Sequence, residues 1–212
     1  MSSHDDVSLQ LRDGEICLRG KRPLLDLSFE SLSLPEGWRV ETGNWTPTAH
    51  GLVGAIASDS AAVIWCGQRF PDELALVLEA EAMPGHDNDA NAFFRAVGSI
   101  YGDEEHDVAD CTAWILGTAG WYVHDHGLEK HPHGPTWRVP GGPLIPGAKF
   151  RVAAGYRAGH VFLWKDGDLL IEREDPKAEQ GVPHDRIGLG TWNSSIRFLR
   201  LSVYDLGLSE KS

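Results

Sequence analysis

Apolar and polar residues alternate one by one along much of this chain, and this pattern constrains its fold more than any other feature. In residues 73–83 leucines alternate with small or acidic side chains, and residues 90–97 repeat the pattern. A period of two is typical of a strand that turns one face to a core. Residues 187–191 and 196–204 form the last two such runs, separated by a polar turn. The chain is therefore predicted to consist mainly of β-strands.

Turn residues divide these strands at short intervals. The sequence contains 24 Gly and 12 Pro, which leave few segments able to hold a helix. Within residues 149–172, Ala158-Gly159 and Asp166-Gly167 separate three apolar runs, and Asp-Gly is a strong hairpin signal. Many short strands with regular turn signals indicate a sandwich or a jelly roll. We predict an all-β fold, a jelly-roll sandwich of two antiparallel sheets with little helix.

Length and composition restrict the domain organisation and the possible partners. At 212 residues the chain is most simply one domain over residues 7–212, with residues 1–6 disordered. A formal charge of −12 argues against nucleic acid or an anionic membrane as a partner. The polar, acidic N-terminus resembles no secretory signal, so a cytoplasmic location is expected. The oligomeric state is not indicated by any feature of the sequence.

The cysteines and the glycine pattern exclude two kinds of site. The three cysteines, Cys17, Cys66 and Cys111, are too few and too widely spaced for a disulfide framework or a zinc knuckle. No glycine-rich phosphate loop is present, and Ser99 stands at the wrong place for a nucleophile elbow. No organic cofactor is therefore expected.

Residues 124–133 hold four of the ten histidines, with an aspartate and a glutamate among them. If this segment is a strand, side chains two apart share a face, so His124 and His126 would point the same way. With Glu129 and His131 they form a candidate ligand set for a divalent ion such as zinc, manganese, magnesium or calcium. The alternative is a solvated hairpin loop whose imidazoles bind nothing. Both interpretations stay open at this point.

The acidic segment at residues 87–91 begins like a calcium-binding loop. It has Ala92 where such a loop needs its sixth-position glycine, and Gly98 where it needs its final glutamate. Asp and Asn also favour turns in general. This segment is therefore predicted to be a polar turn that enters the strand at residues 90–97.

That strand and its surroundings supply further candidate residues. Asn91, Phe93 and Arg95 alternate with small apolar residues, and a polar face with an arginine suits either a sugar-binding surface or an outer face against solvent. Asp110 stands at the entry to the next strand and is a candidate catalytic residue.

The aromatic residues divide by their context. Trp65 and Trp164 lie in apolar runs and are predicted to be buried. Other aromatic side chains stand beside turns or polar residues, where a flat ring could stack on a sugar. These candidates are Trp121, Tyr122, Trp137 and Trp192.

Several short motifs form a recognisable series along the chain. The series opens with Gly37-Trp38-Arg39-Val40, Gly43-Asn44-Trp45 and Gly51-Leu52-Val53-Gly54, continues with Ile64-Trp65-Cys66 and Phe70-Pro71-Asp72, and closes with Trp164-x-Asp166-Gly167, Asp175-Pro176, Gly181, Ile187-Gly188-Leu189 and the last strand. The opening motifs resemble the 3-keto-disaccharide hydrolase-like domains, the next two resemble a related group of jelly rolls found near pectin-degradation functions, and the closing motifs fit the same superfamily. The resemblance covers roughly residues 35–206 and rests on turns and core positions rather than on a catalytic signature.

The resemblance implies a concanavalin A-like jelly roll with a face that receives carbohydrate. Retaining glucanases of this fold carry a Glu-x-Asp-x-x-Glu strand, which this chain lacks. Glu79 and Glu81 begin a similar spacing, but Met83 and Pro84 follow where it should continue. A glycosidase that works with two carboxylates is therefore not expected.

Two functions remain as hypotheses from the sequence, both with a sugar or glycoside as the ligand. The first is a lyase or hydrolase of 3-keto-glycosides, in which one base removes the acidic proton next to the ketone, with or without a metal ion. His124, His126 and Asp110 would be catalytic, and Asn91 and Arg95 would orient the sugar. The second is a non-catalytic, lectin-like protein in which the tryptophans carry the binding.

Overall fold

The computed structural model describes residues 8–12, 14–56, 60–84, 89–100, 111–121, 124–175 and 183–207, and for Trp121 it describes the backbone alone. Within these ranges there are seventeen strands and no helix that could span a membrane. The strands are β1 (Ser8–Leu11), β2 (Gly14–Cys17), β3 (Leu25–Ser28), β4 (Arg39–Thr42), β5 (Asn44–Thr48), β6 (Gly51–Ala55), β7 (Ala61–Trp65), β8 (Leu74–Ala82), β9 (Ala90–Val97), β10 (Thr112–Trp121), β11 (Asp125–His131), β12 (Thr136–Val139), β13 (Lys149–Arg157), β14 (His160–Lys165), β15 (Asp168–Glu174), β16 (Arg186–Trp192) and β17 (Ser195–Asp205).

Two large antiparallel sheets pack face to face. The front sheet has seven strands in the order β12-β11-β10-β9-β16-β7-β4. The back sheet has eight strands in the order β15-β14-β13-β8-β17-β6-β5, with β3 paired to β17. This arrangement confirms the predicted all-β sandwich of antiparallel sheets.

The alternating leucines seen in the sequence form the core between the sheets. Leu74, Leu76 and Leu78 of β8 are fully buried there, while Glu79 and Glu81 take the other face of the strand. From the front sheet, Phe94 and Trp114 meet them. The period of two thus places one face of each central strand in the core, as predicted.

The predicted hairpins at residues 149–172 are also confirmed. β13 and β14 pair across Ala158-Gly159, and β14 and β15 pair across Asp166-Gly167. All four turn residues have positive φ, at 48°, 81°, 51° and 102° in chain order. Positive φ at both central residues is the type I′ geometry, whose twist matches that of the flanking strands.

The short hairpin of β1 and β2 covers part of the outer face of the back sheet. Leu9 and Ile16 are buried against Phe162 and Trp164. The Trp164 indole N–H donates to the carbonyl oxygen of Gln10 at 3.1 Å. Trp164 is therefore buried as predicted, but beneath this hairpin rather than between the sheets.

An irregularity in β9 changes the direction of one side chain that the sequence placed on the outer face. Arg95 has φ of 45°, and the pairing of β9 with β10 shifts register at this point. Such a bulge adds one residue to one strand and breaks the alternation locally. Phe93 keeps the outer face of the front sheet, while Arg95 turns between the sheets and is only 2% exposed. The predicted shared face of Asn91, Phe93 and Arg95 is wrong for Arg95.

Arg95 joins a buried group of charges centred on Asp175. The Lys130 ammonium lies 2.8 Å from one carboxylate oxygen of Asp175, and Arg95 lies 3.6 Å from the other. The Trp114 indole N–H also donates to Asp175, at 3.3 Å. The Arg95 guanidinium stacks on the Tyr156 ring at 3.7 Å. Because Asp175 follows β15 of the back sheet, this group connects the two sheets.

The substitution Asp175→Ala is expected to destabilise the fold strongly, because it removes the carboxylate that the buried Lys130 ammonium contacts at 2.8 Å. Arg95 keeps its ion pair with Asp72 at 2.7 Å. Breaking one side of a buried ion pair typically costs about 3–5 kcal/mol. The free energy of unfolding, measured by urea denaturation, checks this. Asp168→Ala removes an exposed carboxylate from the neighbouring strand and is the control. Equal stability of the two variants would contradict this role of Asp175.

Candidate functional site

The outer face of the front sheet holds a cavity of about 560 Å³, called here the outer cavity. This volume lies within the range of roughly 300–1,000 Å³ that small-molecule sites occupy. Residues from five neighbouring strands and from the adjoining turns line it: Ala61, Asp89, Asn91, Phe93, Ile100, Ile115, Gly120, Glu129, His131 and Trp192.

Strand register brings these side chains together. Phe93 of β9 lies opposite Ile115 of β10, and Ile115 lies opposite Glu129 of β11. Two residues further along β11, His131 lies opposite Ala113 of β10. Residues that are far apart in the chain thus form adjacent rows on one sheet face.

Asp89 has the most strongly shifted pKa among the acidic side chains that the structure describes. It is 7% exposed, just before β9, and one carboxylate oxygen accepts a hydrogen bond from the Asn91 amide at 2.9 Å. The other oxygen has no hydrogen-bond partner among the described residues. Burial raises the pKa of Asp89 from 3.8 to about 7, against the opposing effects of the Asn91 side chain and the Trp192 backbone. This carboxyl group can therefore both donate and accept a proton near neutral pH.

The position of Asp89 depends on the glycine opposite it. A Cβ atom at Gly120 would collide with the Asp89 carboxylate, so only glycine fits at this point of β10. Asp89 is also held through its backbone, because its N–H donates to the Ser194 hydroxyl at 3.2 Å. The carboxyl group is therefore fixed from two directions.

Glu129 and His131 form a second pair of ionisable side chains on the outer cavity. Being two residues apart on β11, they share its outer face, and Nδ1 of His131 lies 3.7 Å from a Glu129 oxygen. Both side chains are a little over a quarter exposed, at 27% and 28%. A carboxylate beside an imidazole is the arrangement that orients a histidine for proton transfer.

The same alternation turns His126 away from this cavity. His126 shares its strand face with Leu128 and Lys130, which point between the sheets, and it is 8% exposed. Its Nδ1 accepts a hydrogen bond from the backbone N–H of Ala119 at 3.1 Å. Burial lowers the pKa of His126, and the charge of Lys165 adds to the effect. His126 is thus placed as a buried, neutral side chain.

The predicted metal ligands do not converge. His124 has φ of 66° in the turn before β11, so the strand alternation does not extend to it. His126 faces inward, whereas Glu129 and His131 face outward. Among the described residues no three His, Cys, Asp or Glu side chains lie close enough to hold a metal ion. The donor set that the sequence indicated does not fit a metal site.

The remaining predicted binding residues lie in different parts of the structure. Asn91 and Trp192 line the outer cavity, and the Trp192 side chain is 44% exposed. Trp137 instead stacks on Trp114 with ring centres 5.5 Å apart and packs, partly buried, against the core away from the outer cavity. Trp65 is buried, as predicted, but on the outer face of the front sheet beside Phe93.

Three predicted site residues lie outside what the structure describes. These are Asp110, Tyr122 and the side chain of Trp121. The first two residues of the acidic segment at residues 87–91 are outside the described ranges as well, while Asp89 and the following strand are included.

A second, larger depression of about 1050 Å³ lies on the outer face of the back sheet. Its floor consists of ion pairs between neighbouring strands, Arg151 with Glu79 at 2.6 Å and Arg197 with Glu81 at 2.9 Å. Paired charges on an open sheet face are typical of a solvated surface. The outer cavity, with its buried acid, is the better candidate site.

Comparison with solved structures defines the fold. The fold is a galectin-like, concanavalin A-like jelly roll. A Bacillus subtilis protein of unknown function with a galectin-like fold is 18% identical at a TM-score of 0.66, over 86% of this chain and 96% of that one. The carbohydrate binding module CBM66 from Bacillus subtilis is 16% identical at a TM-score of 0.59, over 80% and 96%. A β-glucanase from Bacillus licheniformis is 13% identical at a TM-score of 0.61, over 85% and 97%.

Sequence comparison adds no family. No family model matches the chain, and no curated protein is similar to it in sequence. At the low identities of the structural matches the likeness concerns the fold alone.

Asp89 is the site residue that the sequence reasoning missed. Its segment resembled a calcium loop and was assigned to a polar turn. The available signal was its place two residues before Asn91, which puts both side chains on one strand face. What the sequence could not show is the burial of Asp89 beneath Gly120, since these two residues meet only after the strands pair.

The raised pKa of Asp89 predicts a specific dependence of stability on pH. Between about pH 4 and 7 the folded state keeps a proton that the unfolded chain has lost, so the free energy of unfolding falls as pH rises. The full effect of such a shift is roughly 4 kcal/mol. Asp89→Asn should remove this slope, as measured by urea denaturation across that range. The exposed Asp168→Asn should follow the wild-type curve, and a slope retained in Asp89→Asn would contradict the assignment.

The lowered pKa of His126 predicts a contribution of the opposite sign, which overlaps that of Asp89 between about pH 4 and 6.5. Below about pH 6.5 the unfolded chain binds a proton that the buried imidazole resists, so the contribution of His126 to the free energy of unfolding falls as pH decreases. His126→Gln should remove this contribution, since the amide can accept the Ala119 N–H without binding a proton. His50→Gln, at an exposed position of the back sheet, is the matched control. Identical slopes in both variants would show that His126 is not the group responsible.

Proposed function

We propose that this chain is a carbohydrate-active enzyme that binds a glycoside in the outer cavity and cleaves it by proton transfer. The observation that carries the proposal is a buried acid on the outer cavity, Asp89, whose pKa is about 7 and which lies beside the Asn91 amide. A carboxyl group with a pKa near the working pH can take up a proton and give it back. The sugar as ligand is supported by the fold, which the carbohydrate binding module and the β-glucanase share.

The reaction that suits these groups is elimination from a 3-keto-glycoside. The ketone at C3 makes the C2 proton acidic, and Asp89 in its ionised form removes it. The electron pair forms an enolate and then a C1–C2 double bond, while the C1–O bond to the aglycone breaks. The same carboxyl group, now protonated, gives its proton to the leaving oxygen. Addition of water to the product at C1 then gives the free 3-keto sugar, so the overall reaction is hydrolysis.

This chemistry needs less acidic assistance than cleavage of an ordinary glycoside. An enolate expels its neighbouring substituent, so a pair of carboxylates set on either side of C1 is unnecessary. That agrees with the absence of the glucanase motif from the sequence.

Two further residues would position the sugar. One N–H of the Asn91 amide is used by Asp89, and its second N–H and its oxygen can serve sugar hydroxyls. Trp192, exposed at the border of the outer cavity, offers a flat apolar surface for a sugar ring. Both residues were predicted to contact the ligand, and we retain them in that role.

A binding protein without catalysis is the second candidate, and one observation favours it. The exposed Trp192 indole is the kind of surface on which lectin-like proteins hold sugars. In that case Asp89 and His131 would only accept and donate hydrogen bonds, and their substitution would change affinity rather than turnover.

The test is release of the aglycone from a panel of 3-keto-glycosides by the wild type, Asp89→Asn and His131→Asn. Because a positioned acid or base contributes about 10²–10⁴-fold in rate, Asp89→Asn should lower kcat at least 100-fold. His131→Asn, on the far side of Phe93 and Ile115, should lower kcat far less. His50→Asn, on the opposite face of the molecule, should leave kcat unchanged. A chelator should have no effect, since the described donors do not form a metal site.

The other outcomes are equally informative. His124→Ala belongs in the same panel because its partly exposed imidazole is the alternative base, and loss of turnover there alone would replace Asp89 in that role. No release of aglycone by folded wild-type protein, together with sugar binding that Trp192→Ala abolishes, would support the binding protein instead.

A further inference from the structure

The outer cavity is chemically divided. The polar side chains form two separate groups. Asp89 and Asn91 lie at one end of the cavity, and Glu129 and His131 lie at its edge toward β12. Between them the lining is hydrocarbon, from Phe93 and Ile115, and the cavity lining also includes Ile100 and Ala61.

Register places this hydrocarbon strip between the two polar groups. Phe93 and Ile115 are direct neighbours on β9 and β10, and Glu129 is the next residue across, on β11. Asn91 lies two residues along β9 from Phe93. With about 4.8 Å between strands and about 3.3 Å per residue along a strand, Asn91 and Glu129 are roughly 12 Å apart at the backbone. A single sugar ring does not span that distance, so the ligand has a second part.

The strip is unsuited to a second sugar. Phe93 does not stand up as a platform, because its ring lies over Gly190, where a Cβ would come within 2.8 Å of it, and packs on Trp65 at 5.3 Å. Ile100 and Ile115 have no hydrogen-bonding atoms in their side chains. Sugar hydroxyls buried against such a surface lose their hydrogen bonds to water without replacement, which is unfavourable. The part of the ligand over the strip therefore lacks hydroxyl groups on the face that contacts it.

We propose that the ligand of the outer cavity is a glycoside whose aglycone is flat and apolar, such as an aromatic ring. This proposal rests on the proposed function above and adds the substrate class. The sugar lies at the end formed by Asp89, Asn91 and Trp192, and the aglycone lies along Phe93 and Ile115.

The orientation agrees with the chemistry. Asp89, the acid at the sugar end, must reach the oxygen that joins the two parts. An aromatic leaving group also departs more easily than an alkyl one, so the weakly acidic Asp89 is sufficient for it.

The experiment compares the phenyl and methyl glycosides of one sugar, which differ only in the aglycone. Binding of the unoxidised glycosides, which cannot undergo the elimination, is measured by calorimetry. The wild type should bind the phenyl glycoside at least 10-fold more tightly than the methyl glycoside. Ile115→Ser should reduce that ratio at least 5-fold, with the affinity for the methyl glycoside nearly unchanged. Ile145→Ser makes the same chemical change at an isoleucine that is 71% exposed and outside the cavity, and should keep the wild-type ratio.

Each result decides between the proposals. A ratio near one in the wild type, with both glycosides bound, overturns the aromatic aglycone but leaves the sugar site intact. A ratio that Ile115→Ser does not change, with Ile100→Ser as a second variant in case the first is poorly folded, overturns the location. Failure of both glycosides to bind the folded wild type overturns this inference together with the proposed function.

Discussion

The carboxylate of Asp175 lies at the centre of a buried group of charges that joins the two sheets, to which Asp72 also contributes through its ion pair with Arg95 at 2.7 Å. Lys130 and Arg95 both reach Asp175 from the front sheet, and the β9 bulge is what allows Arg95 to do so. A buried charge requires a partner, so these two cations are committed to the interior. The outer face of β9 is consequently left with Asn91 and Phe93 and without an arginine.

Strand alternation then decides which ionisable groups can act together. On β11 it divides a histidine-rich segment that looks continuous in the sequence, so that His126 is buried and neutral while Glu129 and His131 face the outer cavity. The outer face therefore carries the Glu129–His131 pair and, at the other end of the cavity, the buried acid Asp89, rather than two imidazoles placed for one metal ion. Our proposal of proton transfer by Asp89 follows from this arrangement, since it needs no shared ligand set.

The carboxyl group of Asp89 is held in place although its burial lowers the stability of the folded protein at neutral pH. A carboxyl group that keeps its proton up to about pH 7 in the folded state makes the protein less stable at neutral pH than an uncharged residue would. It is nevertheless held by Asn91, by the Ser194 hydroxyl and by the space at Gly120. Such local conflicts between stability and position are expected where a site does chemical work.

The sequence by itself determined the all-β class, the type I′ hairpins of β13 to β15 and the inward face of β8, because these follow from local alternation and turn chemistry. It also indicated Asn91, Trp192, Glu129 and His131, whose faces follow from regular strands. Only the tertiary structure decided that Arg95 turns inward at a bulge, that Trp137 packs on Trp114 and that Asp89 is buried under Gly120. Those outcomes depend on which strands become neighbours and in what register, and burial, which sets both the Asp175 cluster and the pKa of Asp89, exists only once the sheets have packed.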